Sequence, residues 1–176
     1  MSRLWRNIAV AGILWAVGFA IGFIPAGDSR ARLSSRWEAF RMPSFSELLR
    51  NNATVALVLF SGIFRGGVTS VLTILYNGFV LGLIVQEGLR ANLKAWVIAA
   101  VLGLHGVVEV TGLLLAAAVG LYGWSVLQTL LGVKPVPSWE DFRPFLLAAG
   151  LALLLIVAAS WIEAHVTLPC AGKYWN

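Results

Sequence analysis

Charge is scarce in this sequence. Only 12% of its 176 residues are Asp, Glu, Lys or Arg, about half the share of a soluble domain. Acid is scarcer than base, with 8 Asp and Glu against 13 Lys and Arg, and there are 2 His. So few charges could not solubilise a chain that is 59% hydrophobic. Surface-to-volume scaling leaves much of a small domain exposed, and that surface would be apolar. The same composition excludes disorder. Cysteine occurs once, as Cys170, which rules out an internal disulfide and a cysteine-based zinc site. There is no Walker A loop, nucleophile elbow, HExxH or cysteine pair. ATPase, serine hydrolase and zincin chemistry therefore have no motif to stand on. No basic stripe suggests nucleic acid.

What is abundant is long apolar sequence, with a mean hydropathy of +0.84. Barrel strands alternate, so unbroken runs exclude a barrel. The reading left is an all-α polytopic membrane bundle of about five transmembrane helices, a single domain over 1–176. The first span is predicted at 5–24, and about 20 residues make a helix of ~30 Å, the thickness of a bilayer core. A signal peptide is its rival, but the core is long and no cleavage pattern follows Ile24. Further spans are predicted at 45–64, 68–86, 95–131 and 144–163. The fourth is too long for one ordinary span, and His105-Gly106 near its start is where we expect a kink or break. Ser44 with Glu47 reads as a capping box opening the second span. Ser138 is a candidate cap for the last. Eight Trp fall mostly near run ends, as interfacial belts do.

The most polar stretch is 28–50. Leu33, Trp37 and Phe40 recur at helical spacing among Arg30, Arg32, Arg36 and Arg41. This predicts an amphipathic helix over 28–42 on the membrane surface, in contact with lipid and available to protein partners. Loop charges lean weakly towards an outside N-terminus.

Three features exceed plain apolar helix. The first is small residues at Gly62, Gly66, Gly78, Gly82, Gly106 and Gly120, with Asn51, Asn52 and Asn77. Small residues let helices approach closely and amides glue them by hydrogen bonds. A ligand or pore role for the Asn residues is the alternative. The second is His105 and Glu109, four apart and so on one helix face. A lone Glu at the bilayer centre costs at least about 2.5–3.5 kcal/mol, so it must meet a partner, water or a proton. Asn77 or Arg65 could complete a fold-fixing cluster; a proton relay or ion path is the rival. One His and one Glu fall short of a metal's ligands, so no metal, cofactor or catalytic set is expected. The third is Glu163 near the end of the last span, expected at the interface together with Asn51, Asn52 and Arg65.

In order and spacing, these residues resemble the stage II sporulation protein M family of integral membrane proteins. The pieces are Asn51-Asn52, Gly62 and Gly66, Tyr76-Asn77-Gly78 with Gly82, His105-Gly106 with Glu109, Gly120, and Ile162-Glu163-Ala164 followed by Thr167 and Pro169. Members usually carry Pro before the His-Gly, where this chain has Leu104, and Pro directly after the Thr, where Leu168 intervenes. The resemblance implies about five spans and an inside N-terminus. In spore formers the family member anchors wall hydrolases, a role that need not extend to relatives elsewhere. What transfers is a non-catalytic scaffold or assembly protein, self-associating or recruiting partners. A transporter or channel built on His105, Glu109 and Asn77 is the alternative.

Overall fold

A computed structural model describes residues 3–24 and 43–172. The amphipathic helix expected at 28–42 lies outside them. Among the described residues there is no strand. The helices are α1 (Arg3–Phe23), α2 (Phe45–Phe60), α3 (Val68–Arg90), α4 (Ala95–Leu121), α5 (Gly123–Leu130), α6 (Trp139–Ile162) and α7 (Leu168–Gly172). A 3-10 turn, Ser61–Arg65, extends α2, and a π-helical turn, Glu163–Thr167, joins α6 to α7.

Local sequence explains where several helices begin. The Ser44 hydroxyl accepts from the Glu47 amide (3.4 Å) while Glu47 Oε2 accepts from the Ser44 amide (2.7 Å). Ser138 and Asp141 repeat this box at the start of α6. Each satisfies amides that a helix start leaves bare. Between α2 and α3 the chain reverses through Gly66 (φ 59°) and Gly67 (φ 86°), left-handed positions where a Cβ would be strained.

Chain direction alternates along the bundle. Trp15 and Phe19 of α1 lie opposite Gly78 and Gly82 of α3, so these two run parallel. Asn7 Nδ2 donates to the Ala118 carbonyl (3.1 Å) and Trp15 flanks Gly106 and Val110, so α4 runs against α1. Tyr122 packs on Phe145, with ring centroids 4.2 Å apart, and Gly112 lies against Ala152 and Ile156, so α6 runs against α4. Asn52 meets Ser160 and Phe45 lies near His165, so α2 also opposes α6.

Four helical stretches are long and apolar enough to cross a membrane: Arg3–Phe23, Val68–Arg90, Ala95–Leu130 and Trp139–Cys170. The second expected span falls short as a helix, because α2 has 16 residues and reaches the far end only through its 3-10 turn. The break expected near His105-Gly106 in the fourth span is absent; the helix runs to Leu121 and is interrupted at Tyr122 instead. Leu104 keeps the amide that a proline would remove, so the α4 ladder runs on through His105. At Gly123 the chain passes directly against the Gly62 and Ile63 carbonyls, and the helix re-forms beyond as α5.

The interior is made of small residues. Ala11, Ala56, Ala116, Ala117, Ala152 and Ala159 are fully buried, while Leu72, Val107 and Leu154 are 62–69% exposed. Large apolar groups outside and small ones inside is the pattern of helices packed within lipid, where close backbone approach replaces the hydrophobic drive. Exposed Trp5, Trp124 and Trp139 ring one end of the bundle and Trp96 the other, as interfacial anchors do.

Two glycine seams hold the helices. At the first, a Cβ on Gly78 or Gly82 would collide with the Trp15 or Phe19 carbonyl, and one on Gly18 or Gly22 with that of Leu75 or Phe79. At the second, Gly62, Gly120 and Gly123 interlock beside Ser70, whose hydroxyl donates to the Leu59 carbonyl (2.7 Å). Gly106 departs from the packing role expected of it. A Cβ there meets nothing within 4 Å, because this face of α4 borders a groove rather than a helix.

Candidate functional site

Polar side chains from four helices converge on one cavity of about 270 Å³. Asn51 comes from α2, Asn77 from α3, His105 and Glu109 from α4, and Glu163 from the π-helical turn after α6. Trp15, Leu81, Leu102 and Leu113 supply apolar wall. Glu109 lies near the middle of the 27-residue α4 and Asn77 near that of the 23-residue α3. The cavity therefore lies near mid-length of these apolar helices, in the half of the bundle where α1 ends and α2 begins.

The helical spacing of His105 and Glu109 brings both into it, as their shared face requires. Glu163 is the surprise. Expected at the interface, it lies beside His105, with 4.0 Å between Glu163 Oε1 and His105 Nε2. One donor atom each from His105, Glu109 and Glu163 falls within 4.8 Å of the other two. The cause is the π-helical turn, a widening often found at functional sites. It turns both Glu163 and Thr167 towards α4. The buried Thr167 hydroxyl lies 3.2 Å from His105 Nδ1, fixing the ring so that Nε2 faces the carboxylates.

The remaining hydrogen bonds define what is free. Asn77 Nδ2 donates to the Thr73 carbonyl of its own helix (3.0 Å), leaving its side-chain oxygen for the cavity. Asn51 Nδ2 donates to Asn52 Oδ1 (3.2 Å), and the buried Asn52 passes a long bond to Ser160 Oγ (3.4 Å). Asn52 thus acts inside the bundle rather than at an interface. Among the described residues, Glu109 has no hydrogen-bond partner, and no cation stands in the cavity wall. Arg65 is exposed at the α2–α3 turn, a dozen or more residues along α2 from Asn51, so it does not complete the cluster.

Beside this cavity runs an apolar groove of about 500 Å³ between α1, α3 and α4, and both are lined by Trp15, Leu81, Leu102, Gly106 and Val110. The missing Cβ of Gly106 leaves that boundary low.

Sequence reasoning missed Thr167 as the partner of His105, and it missed Gly18 and Gly22. The first stood within the resemblance as Thr167, but nothing in the sequence paired it with His105. The second had one, since Gly18-xxx-Gly22 repeats the spacing of Gly78-xxx-Gly82.

Comparison with known proteins now identifies the relatives. Residues 28–168 match the family described as stage II sporulation protein M. The chain belongs to that family. An uncharacterized protein of Methanocaldococcus jannaschii is 27% identical over 161 residues, covering 88% of this chain and 90% of the relative. No solved structure matches. Asn51, Asn77, His105, Glu109 and Glu163, residues among those on which the resemblance to stage II sporulation protein M rests, line the cavity, and Thr167, another of them, bonds His105.

Proposed function

We propose that this member of the family is a multi-pass protein of the cell membrane that binds and moves a small cation or proton through the polar pocket, without catalysis. One observation carries the reading. The polar groups midway along the apolar helices stand around a cavity, with 4.0 Å between His105 Nε2 and Glu163 Oε1 and no hydrogen bond to Glu109 among the described residues. Two carboxylates and an imidazole in an apolar setting require compensating positive charge or water. Transporters place solute sites near the bilayer midplane among such groups.

The rival is a scaffold that assembles with itself or with partners. Its physical basis is the small-residue surfaces and the buried polar pair; of those surfaces Gly62, Gly78, Gly82 and Gly120 are occupied within the chain, while Gly103 and Gly106 are open. What remains for partners is the lipid-facing surface and residues 28–50. The test is flux. In liposomes holding the purified protein, an imposed proton or cation gradient should collapse faster than in empty liposomes, and Glu109→Gln should abolish the gain. No flux in either protein would sink the transport reading.

A further inference from the structure

We infer that His105, Glu109 and Glu163 form a binding site for one divalent transition-metal cation, of the zinc class. This rests on reading the pocket as a cation site, and it is separable from movement of the ion. The geometry is of a kind that three ligands of one ion adopt. Nitrogen and oxygen donors about 2.0–2.2 Å from a zinc ion lie roughly 3.4 Å apart in a tetrahedron. The three donor atoms here lie within 4.8 Å of one another, so small rotamer changes draw them in. The 4.0 Å between His105 Nε2 and Glu163 is too long for a hydrogen bond and exceeds the ligand spacing of one centre by roughly half an ångström, which a small side-chain rotation closes.

Three further observations point the same way. Thr167 holds Nδ1 of the imidazole (3.2 Å), the support that ligating histidines ordinarily receive through their other nitrogen. The cavity of about 270 Å³ leaves a fourth position open to water or to the Asn77 oxygen. Charge then balances: a neutral imidazole and two carboxylates carry two negative charges, which a divalent ion cancels and a monovalent ion does not. The sequence alone offered one His and one Glu, too few for a metal. The π-helical turn supplies the third ligand.

The experiment uses the full chain in detergent, stripped with chelator and titrated with Co2+ as a visible probe, then with Zn2+ as competitor. One Co2+ per chain, with the absorption of a low-coordinate site and displaced by Zn2+, is expected. Glu109→Gln and Glu163→Gln should each weaken Co2+ binding at least tenfold, and Thr167→Val by about 10–100-fold with the spectrum retained. The other histidine, His165, stacks on Trp161 outside the cluster (ring centroids 5.0 Å), and His165→Ala should leave binding unchanged. A wild-type protein without a Co2+ spectrum overturns the proposal. So does binding that survives both Glu variants or disappears with His165→Ala. If a Glu variant fails to fold, wild-type stoichiometry and Thr167→Val decide. Proton flux without metal binding removes the metal and keeps transport. Metal binding without flux does the reverse.

Discussion

Glu109 carries a carboxyl midway along a long apolar helix with no hydrogen-bond partner among the described residues, beside a second carboxyl at Glu163. A residue kept for packing would be bonded. Glu109→Leu should therefore cost the fold little: thermal stability within about 1 kcal/mol of wild type, or above it, since replacing buried charge by apolar volume is often neutral or stabilising. A fall of several kcal/mol would show that the carboxyl holds the helices together. Ser70 is the opposite case. It is fully buried and bonded to the Leu59 carbonyl, so Ser70→Ala should cost about 0.5–1.5 kcal/mol. The His105–Glu109 pair was legible because helical spacing alone puts residues four apart on one face. Glu163 was not, since its place depends on a local widening of the helix that no composition or period announces.

The glycine seams act at the level of elements. Gly78→Val must push α1 away from α3, because the Cβ meets the Trp15 carbonyl. A loss of at least about 1–3 kcal/mol in thermal unfolding is expected, as for other overpacked cores. Gly106→Ala should cost nothing in the same measurement and raise stability by up to about 1 kcal/mol, having open space to fill inside a helix. Ser44→Ala removes the capping box of α2 and should cost about 1 kcal/mol. Capping boxes are local in sequence and were readable there. A glycine seam is only half readable: spacing exposes each motif, but which two motifs face each other follows from the register of helices far apart in the chain. The break at Tyr122 was misplaced for the same reason, since it answers to the Gly62 and Ile63 carbonyls opposite Gly123, not to a local breaker.

At the scale of the molecule, composition alone decided the membrane class, and the inverted packing of Ala inside and Leu outside expresses it. Because both glycine seams are internal, Gly120→Val should lower the melting temperature and leave the mass seen by light scattering unchanged. A change of mass without loss of stability would place that seam between copies instead. Convergence of Asn51, Asn77, His105, Glu109 and Glu163 could not be read before the fold was known, because they come from four segments spread over most of the chain. Whether their pocket admits water separates a functional site from sealed helix glue. The most direct measurement is reaction of introduced cysteines with a charged, membrane-impermeant thiol reagent, in a Cys170→Ser background that removes the one native thiol. Asn77→Cys, at the cavity wall, should be labelled, while Ile74→Cys, fully buried one turn away, should not. Equal protection at both positions would contradict an open pocket.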